Sequence, residues 1–319
     1  MRRIPRWVRP AIAAAILVLV VWRIGTGPLV DGVRAVDGRS LAFAALVGLL
    51  TTLCCAWRWT VVAGGLGVPL RFTTAVAAYY RSVFLNLTLP GGVAGDVHRG
   101  VLHGRDASDM GGALRAVAWE RTGGQFVQAV LTIVVLLALP SPARSFMPFA
   151  AAALVALVLG AVLAGRTRSR SARTRLARLW NGMAADVRGG LLRRRALPAI
   201  LLASAVVVAG HAATFLVAAR TAGVTAPVSD LIPLALLAML GMVLPSIAGW
   251  GPREGVTAWV FAAAGLGAST GVATAAAYGV MVLAASLPGA IVLAAEWLPR
   301  RAAASRSEAV PVVVRRGRA

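Results

Sequence analysis

Residues 255–295 form a run of 41 positions without one charged side chain. At about 20 residues per bilayer crossing this is two short spans, parted near Gly265, Gly267 and Gly271. Further apolar runs cover residues 11–22, 41–57, 122–143, 146–165, 196–219 and 231–252. Together these make eight crossings. Inside a bilayer each backbone polar group must be bonded within its own segment or a closed barrel, and runs of this length are helical. The chain is 59% hydrophobic and 14% charged, where a soluble domain is nearer half apolar and a quarter charged. The expected fold class is therefore all-α, a polytopic helical membrane protein.

All 33 basic residues are Arg, against 11 acids, for a net charge of +22. The Arg residues lie between the apolar runs. That placement follows the positive-inside rule and the pull of anionic headgroups, so no nucleic-acid partner is expected. Arg2, Arg3, Arg6 and Arg9 precede the first run, which reads as an uncleaved helix. Trp57, Arg58 and Trp59 read as an interfacial anchor ending the second span. Residues 166–195 hold ten Arg and one acid, Asp186. Within them Leu176, Leu179, Trp180, Met183, Val187 and Leu191 fall at steps of three and four, the pattern of an amphipathic helix on an anionic surface. Residues 1–298 are expected to be one transmembrane domain, and 299–319 a disordered basic tail. Arg clusters at the start, in the loop and in the tail put both termini in the cytoplasm. Cys54 and Cys55 are neighbours in an apolar run, which gives neither a disulfide framework nor zinc spacing.

Two apolar runs break in the same way. The first loses helical continuity at Pro90, Gly91, Gly92 and Gly95, then meets Asp96, His98 and Arg99. The second breaks at Pro245, Gly249, Gly251 and Pro252, then meets Arg253 and Glu254. Pro removes a backbone donor and Gly admits unusual dihedrals, so neither run continues as a smooth helix. Non-helical backbone at membrane depth is tolerated only in protein or beside a wet cavity. Paired breaks in two halves point to a transporter's binding site and to an inverted repeat. Residues 72–95, interrupted by Arg81, read as a re-entrant segment rather than a span.

The charged residues beside the breaks are the functional candidates, because an ionisable group at membrane depth is costly. They are Asp96, Arg99, Glu120, Arg121, Arg253 and Glu254. A guanidinium fork matches phosphate oxygens, and the neighbouring acids balance it in a closed state. The competing reading is an interfacial ion pair that only orients a helix. His98 and His103, with Asp96, Asp106 and Asp109 nearby, read as a solvated loop rather than a metal site, and His211 as a helix-packing residue. No catalytic motif and no cofactor signature stands out.

The residues Asn86, Pro90, Gly91, Gly92, Gly95, Asp96 and Arg99 resemble the first signature of the lysylphosphatidylglycerol synthase transmembrane-region family, also called flippase-like. Glu120 and Arg121, followed by Gly123 and Gly124, are similar to its acid-Arg helix start. Pro245, Gly249, Gly251, Arg253 and Glu254 resemble its second signature. His98 and Pro252 depart from the family pattern. The resemblance implies a multi-pass protein of a bacterial plasma (inner) membrane, with membrane lipids as partners. Its best-understood relatives join such a region to a soluble aminoacyl-transferase domain, and the membrane part moves the aminoacylated lipid outward. The length of the chain leaves no room for that domain, so the expectation is a flippase and not an enzyme.

In that expectation Arg99 and Arg253, with Arg121 behind them, hold the phosphate of an anionic phospholipid or a polyprenyl-phosphate-linked lipid. Asp96, Glu120 and Glu254 balance them. Asn86 and the Pro and Gly residues of both breaks shape the site, and no metal or cofactor takes part. Two other readings stand beside it. One is a membrane transferase with Asp96 or Glu254 as base. The other is a non-catalytic partner of an envelope lipid or glycan enzyme.

Overall fold

The computed structural model describes residues 18, 21–22, 24–166, 175–194, 196–242 and 250–308. They are helical with no strand among them. The order is α1 (Gly27–Ala35), α2 (Gly38–Gly65), α3 (Phe72–Thr88), α4 (Ala94–Asp106), α5 (Met110–Ala138), α6 (Met147–Arg166), α7 (Arg175–Asp186), α8 (Ala196–Thr221), α9 (Val228–Gly241), α10 (Pro252–Ala263) and α11 (Ala268–Glu308). A short 3₁₀ turn at Arg144–Phe146 precedes α6, and a π-helical turn at Val187–Leu191 follows α7.

Local chemistry sets the helix starts. The Asp37 carboxylate accepts from the Ser40 amide at 2.9 Å and the Ser40 hydroxyl accepts from the Asp37 amide at 3.1 Å, which satisfies two orphan donors at the start of α2. Asp109 does the same for α5, accepting from the Gly112 amide at 2.8 Å. Helix α10 opens with Pro252 in its first turn, behind Gly251 at a φ of 111°. At that angle a Cβ would be strained, so the second break needs Gly there.

Among the described residues four helices are long and apolar enough to cross a membrane: α2, α5, α8 and the Ala268–Glu296 part of α11. Large apolar side chains on their outer faces, among them Leu46, Leu202 and Ile291, stay exposed and form a lipid-facing surface. The sequence expectation of eight crossings is revised at both limbs of the second hairpin, where α9 has only 14 residues, about 21 Å of rise. Helix α10 has 12 residues, about 18 Å of rise, and does not cross the roughly 30 Å of hydrocarbon. It folds back on α9 instead, where Gly241 meets Val256. Residues 255–295 are thus one half-helix and one span. Residues 299–308, expected to belong to a disordered tail, continue α11 as helix. Extending a formed helix through Ala302–Ala304 adds one bond per residue fixed, without a new nucleus. The expected first helix at 11–22 lies almost wholly outside the described residues, as do Pro245, Gly249 and residues 309–319.

The two breaks sit in matching places. A long helix, two half-helices folded into a hairpin and a second long helix occur twice, as α2–α3–α4–α5 and as α8–α9–α10–α11. The equivalent helices α2 and α8 pack antiparallel. Arg58 donates to Ser204 at 2.8 Å, while Gly210 lies against Thr51, so one chain number rises as the other falls. The two halves are therefore inverted relative to each other. In the second half the apolar core is built around Phe215, Phe261 and Tyr278, with ring centroids 6.0 and 6.2 Å from Phe215. A smaller core surrounds Trp59 and Tyr79 in the first half.

Helix α7 and the π-helical turn lie within the Arg-rich stretch 166–195. Asp186, its one acid, accepts from the Trp119 indole at 3.1 Å and pairs with Arg115 at 3.0 Å, which docks the loop on α5.

Helices α3 and α11 approach so closely at Gly289 that a Cβ there would overlap the Tyr80 carbonyl. Gly289→Val is expected to destabilise the detergent-solubilised protein by about 1–3 kcal/mol, the usual cost of overpacking. Gly64→Ala, where a Cβ meets nothing, is the control and leaves the thermal midpoint unchanged or slightly raised.

Candidate functional site

The first hairpin brings an acid-base cluster to the middle of the bundle. Asn86, near the end of α3, accepts from the Gly95 amide at 2.8 Å and donates to Asp96 at 2.8 Å, so one limb caps the other. A Cβ at Gly95 would overlap the Ser82 carbonyl, which is why the limbs close only with Gly at that position. Gly91 and Gly92 make the turn, both at positive φ. Pro90 stands just before them, where α3 has ended and no helical amide is required.

Glu120 of α5 has no solvent exposure. One of its oxygens accepts from Arg58 Nε at 2.9 Å, Arg58 Nη2 at 2.5 Å and the Tyr79 hydroxyl at 3.2 Å. The other accepts from Arg99 Nη2 at 2.7 Å. Arg99 also donates through Nε to Asp96 Oδ1 at 3.0 Å. Its guanidinium lies between two rings, 4.6 Å from the Trp59 centroid and 4.4 Å from that of Tyr79. Asp96 Oδ2 takes Arg121 as its partner, and Asp96 Oδ1 accepts from the Ser82 hydroxyl at 3.3 Å. Gly124 leaves the space that Arg58 occupies; a Cβ would stand 2.7 Å from its Nη1. Three guanidiniums thus face two carboxylates, a formal excess of one positive charge in a low-dielectric interior.

This cluster opens on a central cavity of about 280 Å³ walled by α2, α3, α4, α5, α8, α9 and α11. Of the residues expected to bind substrate, Asn86, Asp96 and Arg121 line it. Arg99 and Glu120 stand behind the wall, both buried and bonded to each other. The expected order is therefore reversed. Arg121 faces the cavity with 36% of its side chain exposed, and Arg99 is the support behind.

Arg253 and Glu254 form a separate buried pair. Glu254 also accepts from the Gly251 amide at 2.7 Å, which fastens the pair to the second break. The Arg253 guanidinium lies 5.4 Å from the Trp250 ring and 5.5 Å from that of Tyr278. Neither residue lines the cavity. Their link to it is Tyr278, whose hydroxyl is 2.8 Å from His211 Nδ1, and His211 is on the cavity wall. His211, expected as a packing residue, thus joins the two regions.

Several residues on the cavity wall were not expected there. Arg58 reads in sequence as an interfacial anchor next to Trp59, yet it is 5% exposed and Trp59 1%. The signal is its place seven residues before the end of a 28-residue helix, well inside the span. Gln125 and Gln128 follow Arg121 at steps of four and three on α5 and share its face. Arg81, which interrupts the apolar run of α3, pairs with Glu296 of α11.

Glu120→Gln leaves two buried guanidiniums short of a counter-charge and is expected to cost about 3–5 kcal/mol, the range for breaking a buried pair. Arg121→Gln removes a half-exposed partner and is expected to cost under about 1 kcal/mol. Thermal unfolding in detergent of both variants checks the contrast, and equal losses would mean that Glu120 is not the anchor of the cluster.

Residues 6–308 match the family described as the lysylphosphatidylglycerol synthase TM region. A comparison with curated proteins gives no match. The match spans both hairpins, the acid-base cluster and the cavity between the halves, and its name sets these in a multi-pass membrane protein of lipid metabolism or transport. With nearly its whole length so matched, the chain belongs to the lysylphosphatidylglycerol synthase TM region family.

Proposed function

We propose that the protein is a lipid flippase that carries an anionic headgroup, of a phospholipid or a polyprenyl-phosphate-linked lipid, between leaflets. The observation that carries this reading is the cluster of three guanidiniums and two carboxylates, opened to a central cavity through Arg121. An excess positive charge held in a low-dielectric site is relieved by an anion, and a guanidinium matches phosphate oxygens with paired donors. Asn86 on the same wall adds an amide. The apolar outer faces of the long helices leave acyl chains in the bilayer while the headgroup is held inside.

The inverted repeat supports transport over chemistry. Two hairpins of half-helices flanking one cavity are the architecture in which one half rocks against the other. The proposal takes the chain as a transporter and not an enzyme, with membrane lipids as its partners. It sets the protein in a bacterial inner membrane with both termini cytoplasmic, as the Arg-rich segments 2–9 and 166–195 favour.

The test is a leaflet-resolved lipid assay on the full chain in vesicles, with fluorescent phosphatidylglycerol and a dithionite quench. The wild type is expected to expose inner-leaflet probe faster than protein-free vesicles. Arg121→Ala is expected to slow this by about tenfold or more, equal to 1.4 kcal/mol of lost anion contact. Arg144→Ala, an exposed guanidinium in the 3₁₀ turn, keeps the full rate. An Arg121→Ala protein as fast as wild type would remove the proposed anion site. A probe recovered chemically changed would favour a transferase, and unchanged leaflet distribution a scaffold for another envelope enzyme.

A further inference from the structure

We infer that the headgroup taken by the cavity joins a phosphate to uncharged hydroxyl groups and carries no ammonium. This rests on the transporter reading above and narrows its substrate class. The wall holds two cations, Arg58 and Arg121, and one carboxylate, Asp96. That carboxylate is spent. One oxygen accepts from Arg99 and Ser82, the other from Arg121 and Asn86. Glu120 lies behind the wall and is taken by Arg58, Arg99 and Tyr79. The stretches outside the described residues contain no Asp or Glu, so none of them brings a further acid to the wall.

An ammonium entering this space finds an interior already in positive excess and no carboxylate without a partner. Its desolvation goes uncompensated. A neutral polar group meets better partners. Gln125 and Gln128 extend the Arg121 face of α5, and Thr51, Ser204 and Ser286 add hydroxyls from three other helices. Amides and hydroxyls that both donate and accept match the hydroxyls of a glycerol or a sugar. The volume of about 280 Å³ is just below that of pockets for whole small ligands, about 300–1,000 Å³, so it fits a headgroup and not a complete lipid. A glycerol phospholipid and a polyprenyl phosphosugar share this chemistry, and separate probes tell them apart.

The experiment puts the full chain in vesicles with phosphatidylglycerol or lysyl-phosphatidylglycerol, each labelled on an acyl chain so that the headgroup is intact. Uptake of a short-chain isoprenyl phosphohexose is measured in parallel. At least one of the two anionic probes is expected to move about tenfold or more faster than the lysyl lipid. Whichever moves identifies the source of the phosphate. Gln128→Glu supplies the missing carboxylate and is expected to narrow that gap; Gln125→Glu serves if the first variant does not fold. Lysyl-phosphatidylglycerol moving as fast as the anionic probes through the wild type overturns the inference and leaves the transporter reading standing. A gap unchanged in a folded glutamate variant overturns its electrostatic basis. If neither anionic probe moves faster than in protein-free vesicles, the transporter reading itself fails.

Discussion

Glu120 is a carboxylate with no exposure, and it is stable at that depth only because Arg58, Arg99 and Tyr79 reach it. Those partners come from α2, α4 and α3, so one side chain of α5 ties together the four helices of the first half. Taking ions out of water costs several kcal/mol each, and their attraction offsets that only when the remaining donors and acceptors are also satisfied. The surroundings meet most of this condition, leaving Arg99 Nη1 without a hydrogen bond among the described residues. Ser204 accepts from the far side of Arg58, Asp96 accepts from Arg99 Nε beside the bond to Glu120, and two aromatic rings lie against the Arg99 guanidinium. Much of the local sequence serves the same end: Gly124 leaves room for one guanidinium, and Gly95 lets α4 come close enough to deliver the other.

Arg121 follows directly from the placement of Glu120. Adjacent residues on a helix point about 100° apart. With Glu120 turned into the cluster, Arg121 is turned to the cavity, and Gln125 and Gln128 follow it along the same face. The cavity has its charged end where the first hairpin closes and neutral polar groups elsewhere. A positively charged wall therefore arises from one inward-turned acid and the helical repeat, with Asp96 limiting how much positive charge is left over.

The two breaks, the long spans and the charged residues beside the breaks are legible in the sequence because Pro, Gly and charge are conspicuous in apolar runs. Their division of labour is not. Arg99, Arg121 and Arg253 look alike as Arg residues next to broken helices, yet only Arg121 opens to the cavity. Which way each points depends on helix rotation and on partners 21 to 25 residues away, Glu120 for Arg99, Asp96 for Arg121 and Tyr278 for Arg253, which spacing alone does not contain. Arg58 is hidden for a second reason. Flanked by Trp57 and Trp59, it has the composition of a membrane-interface anchor, and only its partner Glu120 reveals a buried role. Composition suggests two crossings over 255–295, but the turn at Gly265 and Gly267 falls early and leaves α10 too short to cross.

The inverted halves share a frame and differ in chemistry. Asp96 and Glu254 are each the third residue of a half-helix after the break; Asp96 reaches back to Asn86 on the preceding limb and Glu254 to the Gly251 amide at the break. Glu120 is the eleventh residue of α5, and the eleventh residue of α11 is Tyr278. Where the first half buries a carboxylate that gathers guanidiniums, the second has a phenol bonded to His211. Every charged residue on the cavity wall, Arg58, Asp96 and Arg121, belongs to the first half. The second half contributes hydroxyls, His211 and the thioethers of Met239 and Met242. The halves are thus not interchangeable at the site: the charged side chains of the wall come from the first half, and the frame they share does not repeat them in the second.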